Sequence, residues 1–364
     1  MYLDNRKKSY APALVFITLA FFSCAIFLSV PAGAQKIKQL PPPPPAPRYK
    51  PKPTPTPEYE VVRVSSNLVM APVSVTNTQG QPVLGLKTSD FRIEEDGHPQ
   101  EIAQLGDPEQ VPLDIALLID VSGSVVARFA FEQQAAASFL QQVLKPEDRA
   151  TIFAIDESPR MIQPLTTAQL AARKLLTVTP SNGYTAFFDS VLAAANYLDK
   201  SSSSSRRRIV VVISDGDDTA RILGVSAAQN RSDSMKLIGV DAQLQLIRKA
   251  QLDTQREVQR AETTFYSINP SGQTMHLNVR TARSEEGMER IAAATGGAAF
   301  VPRNESELSG IFQQIASEIR SQYLLQYYSN NKAGGTSFRR INVSTPAQPQ
   351  LHVRSREGYF PKGK

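Results

Sequence analysis

Apolar and polar positions pass through three successive patterns along the 364-residue chain. Between residues 61 and 105 they alternate in short runs, VVRVSS, LVMAPVSVTN and FRIEEDGHPQEIAQL, with Val73 and Val75 set between polar neighbours. Alternation of period two predicts half-buried strands, and Asp96-Gly97 predicts a tight hairpin between two of them. From Asp114 onward the apolar runs become continuous, in DIALLIDV, RATIFAID, RIVVVISD and TTFYSINP, with a shorter run at AAFVP. Continuous runs of this length suit parallel strands covered on both faces. Helical periodicity separates them, over residues 127–144, 167–178, 186–198, 285–295 and 307–320. Strand and helix in alternation predict an α/β fold with a doubly wound, mostly parallel sheet. After residue 321 strand-like alternation returns in YLLQYYS, FRRINVST and LHVRSREGYF. Too few strands lie before residue 110 to close a sandwich, so the two ends are expected to pack together as a small antiparallel β-unit.

Two stretches fit this plan less well. Residues 221–262 read as a polar insertion containing a surface helix, with Leu244, Ile247, Leu252 and Val258 on one face and a partner-binding role as the alternative. Residues 270–284 read as a loop.

At the N-terminus, Arg6, Lys7 and Lys8 precede an apolar segment from about Ala11 to Val30 and a small-residue stretch ending at Ala34. This is the layout of a secretory leader cleaved after Ala34, and its length also suits an uncleaved anchor; either one exports the remainder. Residues 41–57 hold ten prolines in seventeen positions, which predicts an extended polyproline spacer. The expected organisation is a leader or anchor over 1–34, a proline-rich linker over 35–60, a β-rich segment over 61–110, an α/β domain over 111–321 and C-terminal strands over 322–364.

Composition narrows the function classes. With 41% hydrophobic residues the chain can bury a core. Its single cysteine, Cys24, lies in the leader, so disulfides cannot hold the folded part together. The net charge of +6 is mild and no basic face is interleaved with aromatics, which argues against nucleic acid as a partner.

The candidate chemistry sits where strands should end. Asp120, Ser122 and Ser124 follow the run DIALLI at alternating positions, with Gly123 allowing a tight path between them. Two further loops carry oxygen side chains at comparable places, Thr185 in SNGYTAFFD and Asp215 in ISDGDD. Each has an ordinary reading as a helix cap or turn former. Together they offer a set of hydroxyl and carboxylate oxygens of the kind hard cations take. In doubly wound sheets ligands bind beyond the carboxyl ends of the strands, which is where Asp120 is expected.

This D-x-S-x-S pattern, with the later Thr185 and Asp215, resembles the von Willebrand factor A domain family and its metal-ion-dependent adhesion site. The resemblance covers about residues 114–321. The flanks, SDFRIEEDG before and VRSREGYF after, are similar to those of bacterial exported "VWFA-related" proteins. It implies a cation, Mg²⁺ or else Mn²⁺ or Ca²⁺, held by Asp120, Ser122, Ser124, Thr185 and Asp215. It further implies a non-enzymatic, adhesion-type envelope module whose protein partner presents an Asp or Glu carboxylate to the cation. Membrane association is expected only through the N-terminal segment. One departure is Tyr184, where the family often has a second glycine before the threonine. Two other readings stand beside this one. A structural envelope protein would keep the metal site as a vestige or a stabiliser. A metal-dependent hydrolase would use Asp120 as nucleophile, but the chain has only His98, His276 and His352 as candidate imidazole bases.

Overall fold

The alternating N-terminal pattern forms strands β1 (Leu68–Thr76), β2 (Arg92–Glu95), β3 (His98–Gln100) and β4 (Ile102–Gly106) in the computed structural model, which describes residues 68–222, 240–271, 279–331 and 335–361. The leader, the anchor alternative and the proline-rich linker lie outside the described residues. All described residues belong to one unit, Arg63–Lys364. Among them no helix is long and apolar enough to cross a membrane.

The alternating α/β region follows. Its strands are β5 (Leu113–Asp120), β6 (Arg149–Ile155), β7 (Arg160–Thr166), β8 (Arg207–Ile213), β9 (Thr263–Ile268) and β10 (Ala299–Phe300). Its helices are α1 (Phe129–Val143), α2 (Ala168–Leu175), α3 (Phe187–Ser201), the single turn α4 (Thr219–Ile222), α5 (Val240–Arg260), α6 (Val279–Thr295) and α7 (Leu308–Ser321). The strands form one six-stranded sheet in the order β10-β9-β8-β5-β6-β7. All pairings are parallel except that of β7, which runs antiparallel at one edge. The expected α/β class is therefore what the chain adopts. The edge strand β7 was not anticipated: RMIQPLT carries polar and apolar residues without a clean period and contains Pro164, which an edge strand tolerates.

The continuous apolar run of β5 is explained by its two faces. Leu113, Ile115, Leu117 and Ile119 pack with α1, α2 and α7, whereas Ala116 and Leu118 pack with α3, α5 and α6. No position of β5 meets solvent, so no polar alternation survives in its sequence.

The C-terminal runs form β11 (Tyr323–Tyr328), β12 (Arg339–Ser344), β13 (His352–Ser355) and β14 (Gly358–Tyr359). They complete two four-stranded sheets, β13-β1-β11-β4 and β14-β12-β2-β3. β1 pairs antiparallel with both β11 and β13, and β12 pairs antiparallel with β2. The inward residues of β1, namely Val69, Ala71, Val73 and Val75, share a core with Ile93, Leu325, Tyr327, Ile341 and Val343. The antiparallel unit is thus two facing sheets, each drawing strands from both ends of the folded chain.

Two expectations need correction. α5 is more than a surface helix: Ala250, Thr254 and Val258 are buried against α3 and α6, while Leu252 is 41% exposed and does not belong to that face. The true stripe runs at a spacing of four, and the small Ala250 and polar Thr254 hid it from a reading based on large apolar residues. Residues 270–284 are not all loop, because α6 begins at Val279.

At the amino end of β5 the fully buried Asp114 accepts hydrogen bonds from Arg149 Nε at 2.9 Å, Arg149 Nη2 at 2.6 Å and Arg206 Nε at 2.8 Å. Burial alone would raise its pKa, but the bonds from Arg149 and the charge of Arg206 outweigh it and hold the carboxyl below its ordinary value. A carboxyl lowered in the folded state adds stability above the unfolded pKa and loses it as pH falls through the folded one. Asp114→Asn is therefore expected to melt below the parent near neutrality, and the gap should close as pH drops below about 4. Melting curves across that range check this; a gap independent of pH would show that the ion pairs do not set it.

Candidate metal centre

The chain runs from β5 to β6 on one side of it and returns through β8 on the other, so strand order reverses between β5 and β8. A crevice beyond the carboxyl ends is expected at that point in a doubly wound sheet. Asp120 closes β5, Asp156 follows β6 and Ser214-Asp215 follow β8.

Asp120 is fully buried. Its Oδ1 accepts from the Ser122 backbone N–H at 2.9 Å and its Oδ2 accepts from Ser214 Oγ at 2.8 Å. Burial pushes its carboxyl above the ordinary value, and the neighbouring Asp156 charge pushes it further, against the bonds from Ser122 and Ser214. Ser122, 4% exposed, precedes the single helical turn Gly123–Val125. Ser124 lies in that turn, and its side chain lies outside the described residues.

Thr185 is 3% exposed and sits just before α3. Its backbone N–H donates to Thr219 Oγ1 at 2.7 Å, and its carbonyl accepts from Ala220 N–H at 3.2 Å, which ties its loop to the segment after β8. The same loop reaches the other strand ends: Ser181 N–H donates to the Val121 carbonyl, Ser181 Oγ donates to Asp156 Oδ1 at 3.0 Å and Ala186 N–H donates to the Asp156 carbonyl at 2.9 Å. Tyr184 is 42% exposed, so the ring that replaces the family's glycine stands on the solvent side of this loop.

Asp215 is half-buried, and its Oδ1 accepts from the Asp217 N–H at 3.0 Å. Gly216 turns the chain here at φ +76, a left-handed conformation that glycine adopts without strain, and its N–H donates to Ser214 Oγ. The four loops that carry Asp120, Asp156, Thr185 and Asp215 are therefore bonded to one another. Among the described residues, no three His, Cys, Asp or Glu side chains cluster as a ligand cage. The donor set mixes hydroxyls with few carboxylates, a composition suited to a hard cation that keeps some of its water.

Sequence reasoning overlooked Ser214, which bridges Asp120 to the turn after β8, and Asp156. The second was legible, because Asp156 ends RATIFAID just as Asp120 ends DIALLID. Asp217 and Asp218, which follow Asp215, have structural partners. Asp217 Oδ1 accepts from Ser284 Oγ at 2.6 Å. Asp218 is buried and accepts from the N–H groups of Phe188 and Arg221 at 3.1 and 3.0 Å, capping the starts of α3 and α4. Asp189, in the first turn of α3, pairs with Arg221.

No curated protein matches the chain. Similar solved structures include the PilB minor pilin from Streptococcus sanguinis, at 13% identity over 58% of this chain and 62% of that one, with a TM-score of 0.44. Another is a von Willebrand factor type A protein from Catenulispora acidiphila, at 11% identity over 82% of this chain and 64% of that one, TM-score 0.43. A third is the vWF domain of the type V pili tip protein Mfa5 from Porphyromonas gingivalis, at 13% identity over 57% of this chain and 95% of that one, TM-score 0.39. The chain thus spans less than two thirds of the pilin's length. The family model for the von Willebrand factor type A domain matches residues 115–217, from the buried β5 to the turn after β8, and the α/β fold around that stretch is of the same type.

Proposed function

We propose that the α/β domain is an exported, non-enzymatic, cation-dependent protein-binding module. One observation carries the reading: a fully buried carboxylate, Asp120, sits at the strand-order switch with hydrogen bonds from neutral donors and another acid, Asp156, as its charged neighbour. Such a carboxylate is costly to keep ionised unless a cation compensates it. Asp120, Ser122, Ser124, Thr185 and Asp215 are the residues assigned to hold Mg²⁺, with the hydroxyls ligating and the carboxylates supplying charge and orienting ordered water. A cation held largely by neutral oxygens offers an open, electrophilic position to a carboxylate from a partner protein. The match of residues 115–217 to the adhesion-type domain family supports this class of function. Catalysis is disfavoured by the placement of His98 and His352 in β3 and β13 of the antiparallel sheets, away from the strand ends of the parallel sheet; His276 lies outside the described residues.

Titration of Mg²⁺ or Mn²⁺ into metal-stripped protein tests the reading. Saturating Mg²⁺, at 100 times its dissociation constant, is expected to add about 2.7 kcal/mol of stability. Asp120→Ala should abolish both the heat of binding and the rise in melting temperature. Capture of a carboxylate-bearing partner should then depend on the cation and fail in the variant. No binding of either cation at about millimolar concentration would sink the proposal. A cation that stabilises the parent while no partner is captured would favour the structural envelope reading instead.

A further inference from the structure

At the opposite end of the sheet, beside the amino ends of β8 and β9, a cleft of about 420 Å³ separates the α/β region from β1 and the C-terminal strands. Arg206, Arg207, Arg208 and Arg356 line it, with Glu262 as the one acidic side chain among the described residues of its wall. Two of these arginines are already matched to acids: Arg206 bonds Asp114 and Arg208 bonds Asp199. Arg207 donates to the Ile319 carbonyl and to Gln322, neither of them charged, and although burial pulls its pKa down to about 10 it stays protonated near neutrality.

Arg356 is the exceptional member. Its side chain is only 10% exposed, yet it donates no hydrogen bond to any described residue. Glu262 forms only a long ion pair with its Nη1, at 3.9 Å, and the Tyr359 ring lies 5.4 Å from the guanidinium carbon. The Nε of Arg356 is buried without an acceptor, and leaving a buried guanidinium donor unmatched is expensive. The Nε of Arg208, in the same wall, is also buried without an acceptor. Against this basic side stand apolar surfaces of Leu68, Met70 and Phe360. The volume far exceeds the ~30 Å³ share of one water molecule, so the cleft has room for an organic body beside an oxyanion.

We propose that this cleft binds a small organic anion, a carboxylate or phosphate on an apolar body, with Arg356 as its anchoring cation. Two oxygens of a carboxylate or phosphate fit the fork of Arg356 at hydrogen-bond distance, closer than Glu262 at 3.9 Å, and the apolar wall covers the rest of the ligand. The site is separate from the metal centre and does not depend on it.

Calorimetry on the full protein, with three probes, decides the matter: inorganic phosphate, an acetylated apolar dipeptide with a free C-terminal carboxylate, and the same dipeptide amidated. At least one anion is expected to saturate the protein below about 1 mM, with the amide about tenfold weaker or worse. Saturation by phosphate alone would assign the site to phosphates, and by the free dipeptide alone to peptide carboxylates. Arg356→Gln should weaken the binding by about tenfold or more. Because Arg356 is buried, Met70→Glu serves as a second variant: it sets a negative charge in the half-buried wall and should weaken binding similarly while melting like the parent. The inference is overturned if neither anion saturates, if the amide binds as well as the acid, or if both variants keep the parent affinity.

Discussion

Replacing Glu95 by alanine is expected to remove about 3 to 5 kcal/mol of stability, the typical result of breaking a buried ion pair from one side. Glu95 ends β2 with 1% exposure. Its Oε1 accepts from Ser329 Oγ at 2.7 Å and Arg339 Nη1 at 3.0 Å, and its Oε2 accepts from the hydroxyls of Tyr327 at 2.9 Å and Tyr359 at 3.0 Å. Those donors come from both facing sheets, Tyr327 from β11 and Arg339 and Tyr359 from β12 and β14. One carboxylate therefore ties the two sheets together. Burial and the nearby Glu95 charge raise the pKa of both tyrosines, so they remain donors at any physiological pH. Alanine would take the carboxylate away from the Arg339 charge and from three hydroxyls, whereas Glu95→Gln keeps the shape and one acceptor oxygen and should lose less. Against a total of roughly 5 to 15 kcal/mol for an ordinary domain, the alanine loss is large. Urea unfolding would show it as a lower midpoint at constant slope. Pairing Glu95→Ala with Arg339→Met should recover part of the loss, since the buried charge that has lost its carboxylate is removed. A loss below about 1 kcal/mol in Glu95→Ala would mean that water replaces the carboxylate and the network is dispensable.

Gly297→Ala should be comparably damaging, by about 3 kcal/mol or more, for a steric reason. A Cβ at this position would lie 1.8 Å from the carbonyl oxygen of Phe265 and 2.7 Å from its carbonyl carbon, both in the backbone of β9. No side-chain rotation relieves a clash with a strand in the middle of a sheet; β9 or the end of α6 must move. Gly310→Ala in α7 is the control, because nothing lies within 4 Å of a Cβ there. Within a helix that exchange should stabilise by roughly 0.5 to 1 kcal/mol. Melting temperatures of the two variants should move in opposite directions. A Gly297→Ala protein that melts with the parent would show that the contact between α6 and β9 yields easily.

Parts of the architecture were legible because burial leaves a periodic trace. β5 and β8 read as continuous apolar runs since helices cover both faces of the sheet, and β1 alternates since only its Val69, Ala71, Val73 and Val75 face a core. α5 was harder, because its buried stripe uses Ala250 and Thr254, whose side chains announce nothing. β7 was missed for a related reason: an edge strand half-covered by α2 needs no strict alternation and tolerates Pro164.

The sequence by itself determined the class of the fold, the residue types available to a cation and their order along the chain, since strand, helix and turn preferences are local and burial writes its period directly into the chain. Which of those residues meet was decided only by the tertiary structure. The reversal of strand order sets the loop after β5 beside that after β8, bonding Asp120 to Ser214 across 94 positions of sequence, and Ser181 to Asp156 across 25. Likewise only the packing of the C-terminal strands against β1 places Arg356 beside Arg208 in one cleft. Such contacts follow from sheet topology, a property of the whole chain that no local window of sequence contains.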